Sequence, residues 1–298
     1  MAKPSKSIQE QISLPQSRDL QFKNISDAPH FLSNISYYRL KGYWWEMQDD
    51  KINHHFAPDS YFEDVIDLYN FDRHFRLIVF NAIERIEIAL RTKLIYHLSL
   101  SYGSDWYLNP SIFQDPKRFT SFLGKINMDM SNSSEEFIVT HFEKHPNEMP
   151  ESWKALEVLT LGTLSKLYSN LKHQLPEKNK IATEFGLNNQ KYLVSWLLTI
   201  TVLRNIIAHH SRLWNRVIIN KYDWPPTSPN PILSYIPNNH QRRKIFPILS
   251  AIIYMNNEIS PRHHIKQELL LLFAQFPNVQ LSKMGFPSDW QNEPLWKN

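Results

Sequence analysis

The sequence has no cysteine and little glycine, and each shortage excludes a kind of site. With no cysteine among 298 residues, disulfides, thiol catalysis and cysteine-ligated zinc are excluded. The six glycines argue against dinucleotide-binding and P-loop folds, which need glycine where the backbone approaches phosphate. The start of the chain is polar rather than leader-like, and no apolar run approaches the length of a membrane span. We therefore expect a cytoplasmic protein.

The remaining composition is that of a folded protein with a small positive charge. Hydrophobic residues make up 42% of the chain and aromatic residues 13%, which is enough for a sizeable core. Lys and Arg outnumber Asp and Glu by 33 to 29, which gives a net charge of +4. This excess is compatible with a nucleic-acid partner but does not require one.

Apolar residues recur at helical spacing through most of the chain, and no alternating strand pattern stands out, so the sequence predicts an all-α fold. The first long helix is expected to open at a capping box formed by Ser60 and Glu63 and to end near Gly103, with residues 70–73 as a place for a break. Further helices are predicted over 153–171, 177–185 with Gly186 as its stop, 188–216, 239–257 and 261–275.

These segments predict three parts. Residues 1–57 form an aromatic-rich segment, 58–220 a helical domain, and 221–298 a C-terminal helical extension. Within the helical domain, residues 104–150 are expected to be an insertion of short helices and loops.

The predicted helix over 188–216 carries the candidate chemistry. At 100° per residue it has an apolar stripe for the core, a stripe of mostly small residues through Thr201, Ala208 and Ser211, and a polar stripe. The polar stripe consists of Asn205, His209, Arg212 and Arg216. On this geometry His210 points towards the apolar side. We therefore interpret His209 as the chemical histidine and His210 as structural.

Arg204, Asn205 and His209 are residue types that metal-independent RNA cleavage would need. A histidine can take the proton of a ribose 2′-OH or protonate the leaving 5′-oxygen. A guanidinium can stabilise the charge that gathers on phosphorus, and an amide can fix the histidine tautomer. One histidine supplies only half of an acid–base pair. A two-fold dimer, with its contact at the small-residue stripe, would supply both halves.

Two other clusters have a structural and a functional interpretation. Glu84, Glu87 and Arg91 form a polar stripe on the first long helix, which intrahelical pairing explains; a role in bracing the site or holding RNA is the alternative. Arg39 and Lys41 lie among aromatic residues that suggest a small core. The alternative there is a base-stacking platform for RNA.

Histidine pairs raise the alternative of a metal enzyme. Adjacent histidines point about 100° apart on a helix, which is poor for joint ligation. His141 and His145 have suitable spacing for zinc, but no third ligand is evident. We expect neither a metal nor an organic cofactor.

Five ordered stretches carry a family resemblance: YYRLKGYW at 37–44, LYNFDR at 68–73, AIERIEIALR at 82–91, LGTLSKLY at 161–168 and LRNIIAHHSRLWNR at 203–216. Through them the chain resembles the abortive-infection (Abi-like) family, a member of the HEPN superfamily of helical RNases and RNA-binding proteins. It implies a HEPN-type helical bundle with a helical insertion and extra terminal helices. It also implies a homodimer with a composite cleft, and phage defence through RNA damage. Arg204, Asn205 and His209 satisfy the superfamily motif, and His210 also falls within its spacing.

The leading hypothesis is therefore an endoribonuclease toxin, restrained by a structured RNA or a small protein antitoxin. The main alternative is a non-catalytic RNA-binding scaffold, since some HEPN proteins bind RNA without cutting it. In either case Arg39, Lys41, Arg212 and Arg216 are the expected RNA contacts beside the motif. A purely structural adaptor is a further alternative, but it gives the exposed polar stripe no purpose.

Overall fold

The computed structural model describes residues 4–297, and within them the fold is all-α, as predicted. Helices account for 61% of the described residues, and the only sheet among them is one antiparallel pair of short strands. The strands β1 and β2 are Gln48–Asp50 and His55–Phe56. The α-helices in chain order are α1 Ile8–Gln16, α2 Ala28–Asn34, α3 Tyr37–Trp44, α4 Phe62–Tyr102, α5 Pro116–Ser131, α6 Glu136–Lys144, α7 Ser152–Ala155, α8 Leu161–Asn170, α9 Pro176–Thr183, α10 Gln190–Ala208, α11 Ile245–Ile259 and α12 Ile265–Gln275.

The chain separates into two compact units. The first runs to Leu77 and is completed by Leu269–Gln280, and the second comprises Ile78–Glu268 and the chain from Leu281 onward. The three-part division at residues 57 and 220 stays a prediction.

The first unit is organised around aromatic rings and one buried polar cluster. Phe71 stacks on Phe75 and also contacts Phe273 of α12. Tyr43, Asp72 and Arg76 form the polar cluster: the Tyr43 hydroxyl donates to Asp72 at 2.7 Å, and Arg76 is ion-paired with the same carboxylate. The polar residues around position 72 therefore do not interrupt α4, because the Asp72 charge is neutralised inside the unit. The break expected at 70–73 was wrong.

The start of α4 lies close to its predicted position, but the predicted capping box is absent. The Ser60 hydroxyl donates to the Met47 carbonyl at 3.4 Å. The Glu63 carboxylate accepts the backbone N–H groups of Lys23 and Asn24 instead of one within its own helix. The other end of α4 was predicted correctly. Gly103 follows it with φ +89°, in the left-handed region that favours glycine.

The second unit packs several helices around α10. Helices α8, α9 and α11 contact α10, and almost every residue of α11 is buried. Among residues 4–297, α10 is also the helix long and apolar enough to cross a membrane by length and composition. The expectation that no segment approaches such a run was therefore wrong for α10. Eight of its 19 side chains are buried in this unit.

The region predicted as one helix over 153–171 is two helices with an intervening turn. Helix α7 ends at Ala155, and Thr160 caps α8 by accepting the Thr163 N–H. The carbonyl groups of Leu156 and Leu159 in the turn accept hydrogen bonds from Arg91 of α4. A tertiary contact therefore replaces the helical hydrogen bonds there.

Later helices agree with the predictions apart from their ends. Helix α9 is followed by Gly186 at φ +78°, as expected of a helix stop. Helices α11 and α12 correspond to the two predicted near 239–257 and 261–275. Residues 104–150 contain short 3₁₀ turns with α5 and α6, and α5 reaches 16 residues; that this region is an insertion stays a prediction.

Candidate functional site

Helix α10 positions the candidate motif through a well-defined start and a buried face. The Asn189 side chain accepts the Lys191 N–H at the N-terminus. Trp196, Ile200 and Leu203 are buried at helical spacing, as predicted. This face fixes the rotation of α10, and the rotation decides where Arg204 points.

The helix ends earlier than predicted, at a Schellman motif. His209 is the C-cap, and the N–H groups of His210 and Ser211 donate to the carbonyls of Ile207 and Ile206. His210 adopts φ +54°, a conformation in which glycine is the usual residue. The prediction of one helix over 188–216 was wrong beyond Ala208, because the chain closes this motif without a glycine to signal it.

The early end removes the geometric reason for distinguishing the two histidines. His209 and His210 are both exposed, so the expectation that His210 points towards the apolar side was wrong. Within residues 4–297 no hydrogen bond to the His209 imidazole is found. The catalytic role of His209 stays a prediction, and His210, which is also exposed, stands beside it as a candidate.

The segment after the helix is anchored rather than loose. Leu213 is fully buried and Trp214 nearly so. Asn215 has φ +52°. Arg212 and Arg216 are half-buried and lie outside the helix. The polar stripe that was expected to join them to Asn205 and His209 is therefore not a helical stripe. Their contribution to RNA binding stays a prediction.

Arg204 lies in a cleft between α10 and α4 with a volume of about 310 Å³. The lining residues are Phe80, Ile83, Glu84, Glu87, Ile88, Arg91 and Arg204. The Arg204 Nε is buried and has no hydrogen-bond partner within the described chain. Nor does any carboxylate oxygen there lie within 4.0 Å of this guanidinium. Arg204 therefore lines the same cleft as Glu84 and Arg91, which were predicted as supporting residues.

Arg91 is held by several contacts. Its Nε donates to the Leu156 carbonyl at 3.0 Å, and one terminal nitrogen donates to the Leu159 carbonyl at 2.9 Å. It also pairs with Glu87 one turn earlier and with Glu157, at 3.4 Å in each case. The intrahelical Glu87–Arg91 pairing was predicted. The bonds to the turn before α8 were not, and they give Arg91 a structural role in one wall of the cleft.

The cleft has mixed charge and does not include the whole motif. Glu84 is exposed and, among residues 4–297, forms no ion pair within 4.0 Å. Asn205 is exposed, and neither it nor His209 lines the cleft. His209 follows Arg204 by five residues, a rise of about 7.5 Å along the helix axis. Arg204 and His209 therefore lie at the same end of α10, but only Arg204 of the two lines the cleft.

Part of the small-residue stripe on α10 is used within the chain. A methyl group added at Gly162 of α8 would lie 3.4 Å from the Thr201 methyl. The helix that approaches Thr201 closely is therefore α8 of the same molecule. Of the other residues predicted for this stripe, Ala208 is exposed at the end of the helix, and Ser211 is half-buried and lies beyond it.

The other candidate RNA contacts lie on α3 in the first unit. Arg39 is exposed and Lys41 half-buried, while Tyr43 and Trp44 are buried. The ring of Tyr37 packs edge-on against Trp44 at 4.9 Å. The aromatic core preferred from the sequence is confirmed. The exposed Tyr38 is the ring that remains accessible for base stacking.

The histidine pair with zinc-ligand spacing is His141 and His145, whose ring centroids lie 5.4 Å apart. His141 is buried and its Nε2 lies 3.1 Å from the Glu148 carbonyl oxygen. Across residues 4–297, no group of three or more His, Asp or Glu is arranged to hold a metal ion.

The fold and site define an all-α protein whose central helix presents an arginine to a cleft and ends at an exposed histidine pair. The sequence profile of the Abi-like protein family matches residues 30–215, well over half of the chain. The protein therefore belongs to the Abi-like family, and this membership is consistent with a role in abortive infection. No curated protein and no solved structure matches the chain.

Proposed function

We propose that the protein is a cytoplasmic, metal-independent endoribonuclease of HEPN type that acts in abortive infection. The observation that carries the proposal is the end of α10. There Arg204 presents a buried nitrogen without a hydrogen bond, and His209 is exposed five residues later. Family membership supplies the biological setting.

Arg204 would stabilise the transition state. As the ribose 2′-oxygen attacks phosphorus, negative charge gathers on the non-bridging oxygens, and a preorganised guanidinium stabilises it. A guanidinium that is already partly desolvated interacts more strongly with such charge than one in bulk water. Glu84 and Glu87 would repel a phosphate deep in the cleft. The scissile phosphate is therefore expected at the outer edge of the cleft, towards Asn205.

His209 would move the proton. A neutral imidazole accepts the 2′-OH proton, the 2′-oxygen forms a bond to phosphorus, and the bond to the 5′-oxygen breaks. A protonated imidazole gives its proton to that leaving oxygen. The products are a 2′,3′-cyclic phosphate and a 5′-hydroxyl. Two histidines are needed, and a homodimer in which the α10 ends face each other would supply one from each protomer.

An unrestrained nuclease would damage its own host, so we expect an inhibitor. A structured RNA that occupies the cleavage surface without being cut is one candidate, and a small protein antitoxin is the other. Single-stranded or looped RNA is the expected substrate, because its bases are free to stack on exposed rings.

The test is cleavage of total cellular RNA by purified protein, followed by mapping of the new ends. Arg204→Ala and His209→Ala are expected to lower the cleavage rate by at least about a hundredfold, the scale on which acid–base and charge-stabilising groups act. His264→Ala removes an exposed histidine remote in sequence and is the matched control. Cleavage is expected to continue in EDTA and to leave cyclic phosphate ends.

RNA affinity and the effect on growth, measured on the same variants, distinguish a nuclease from a scaffold. A scaffold would keep both RNA affinity and its effect on growth in the His209→Ala variant, whereas a nuclease keeps affinity and loses the growth effect. Because His210 is also exposed, His210→Ala is run in parallel. Loss of cleavage in that variant alone would transfer the proton-transfer role from His209 to His210.

A further inference from the structure

A second concave site lies in the C-terminal extension, beyond the family match that ends at residue 215. It is a pocket of about 340 Å³ formed where residues 219–222 meet 239–243. Its charged lining is entirely basic, with Lys221, Arg242 and Arg243 beside His240, and no Asp or Glu contributes to it. We call it the basic pocket.

The cations of the basic pocket are not neutralised by the chain. Within the described residues, no carboxylate oxygen lies within 4.0 Å of Lys221, Arg242 or Arg243. Arg242 donates one hydrogen bond, of 2.6 Å, to the Asn239 side-chain oxygen, which orients its guanidinium without cancelling its charge. Cations gathered in a concavity without counter-charges repel one another, and an anion would relieve this repulsion.

A buried hydroxyl provides independent support. Tyr222 lines the pocket and is only 2% exposed, yet its hydroxyl has no hydrogen-bond partner in the described structure. Burial raises the pKa of Tyr222, so the group keeps its proton and can donate a hydrogen bond. A buried polar group without a partner costs about 1–3 kcal/mol, and a ligand oxygen would remove that cost.

We propose that the basic pocket binds a phosphate group, held by Arg242, Arg243 and Lys221 and by a hydrogen bond from the Tyr222 hydroxyl. Guanidinium groups recognise the tetrahedral oxygens of phosphate in paired fashion, and the volume accommodates a phosphate with part of a nucleoside. The phosphate is that of a free nucleotide or of an RNA backbone. The site goes beyond the proposed nuclease function, because it shares no residue with α10 or its cleft.

The experiment measures binding of inorganic pyrophosphate by calorimetry and of a short single-stranded RNA by fluorescence anisotropy. Arg242→Gln and Arg243→Gln are expected to weaken binding about tenfold each, and Tyr222→Phe about three- to fivefold. Arg262→Gln removes an exposed arginine outside the pocket and is expected to change nothing. Circular dichroism checks folding, and the exposed Arg243 provides a variant that does not disturb the interior.

The outcomes separate the two sources of phosphate. Pyrophosphate binding that the pocket variants weaken assigns the site to a free phosphate or nucleotide. RNA binding that they weaken, without measurable pyrophosphate binding, assigns it to the RNA backbone. The proposal is overturned if neither probe responds to the pocket variants, or if Arg262→Gln weakens binding equally. The pyrophosphate arm does not depend on RNA cleavage, so it can succeed even where the nuclease proposal fails.

Discussion

At the scale of single residues, the buried Tyr43–Asp72–Arg76 cluster should stabilise the first unit strongly. Asp72→Asn removes the carboxylate that pairs with Arg76 and leaves a buried cation, which costs about 3–5 kcal/mol. Urea unfolding followed by circular dichroism measures the loss.

Asp64→Asn is the control for this prediction. Asp64 pairs with Lys23 near the surface, and such exposed pairs contribute about 1 kcal/mol or less. Equal losses in the two variants would show that the buried cluster contributes no more than a surface pair.

Lys178 should make stability depend on pH. It is fully buried, its ammonium donates to the carbonyls of Ser169 and Leu171, and burial lowers its pKa from 10.5 to about 8. Between pH 8 and 10.5 the unfolded chain binds the proton and the folded chain does not, so the free energy of unfolding rises with pH. Relative to Lys178→Met, the wild type is expected to gain about 1 kcal/mol between pH 7 and pH 9.

The matched control is Lys180→Met on the same helix, where the side chain is exposed. This variant should keep the pH dependence of the wild type. A Lys178→Met protein with an unchanged slope between pH 7 and pH 9 would show that the ammonium is not destabilised by burial.

Residue-level roles were the hardest to predict from the sequence. Asp72 is a poor helix former beside Asn70, so it suggested a break, and only its buried partners explain why the helix continues. Lys178 gave no signal at all, because a lysine in a polar stretch is usually exposed. The role of Arg204 stays a prediction, although the buried residues before it fix the direction in which its side chain points.

At the scale of elements, Gly186 and Gly103 offer a paired test of how helix ends are packed. Both have positive φ, so substitution by alanine strains both. At Gly186 the new methyl group would also lie 2.8 Å from Tyr254 and Glu258, whereas at Gly103 its nearest neighbour is 3.4 Å away. Gly186→Ala is therefore expected to cost about 1–3 kcal/mol more than Gly103→Ala. Equal melting temperatures would contradict the packing at the end of α9.

The Schellman motif at the end of α10 gives a second paired test. At φ +54°, His210→Gly should be more stable than His210→Ala by about 1 kcal/mol, since both lose the imidazole and only alanine keeps the strain. Thermal unfolding of the two variants gives the difference. An alanine variant as stable as the glycine variant would show that position 210 is not left-handed.

Helix existence was predictable and helix ends were not, for a reason visible at this motif. The spacing of apolar residues predicted α10 correctly up to Ile207. Leu213 and Trp214 continue the same spacing in the sequence, so the pattern alone extends the helix to Arg216. Both residues are indeed buried, but on a chain that has already turned. Where glycine marks the turn, as at Gly103 and Gly186, the end was found.

At the scale of the whole molecule, the central prediction is dimerisation. If two α10 ends complete one cleavage site, sedimentation should give a mass of twice the 35.4 kDa of one chain. Mixed dimers of wild type and His209→Ala should cleave RNA far more slowly than wild-type dimers. A fully active monomer would contradict the composite site while leaving the Arg204 cleft intact.

The all-α class and the family were evident from sequence because many helical periods and several ordered motifs agree. The basic pocket was not, because its residues come from two irregular segments around a proline-rich stretch, with no periodicity to bring them together.

The hydrogen bonds of Arg91 to the turn before α8 affect how genetic data on this protein should be interpreted. If the protein protects its host against phage, an Arg91→Ala strain that loses this protection would have lost the hydrogen bonds to that turn as well as a positive charge. Arg91→Lys keeps the charge but loses the paired hydrogen bonds that the guanidinium donates to the Leu156 and Leu159 carbonyls. A lysine that fails as badly as alanine would identify Arg91 as a brace for its surroundings rather than a participant in catalysis.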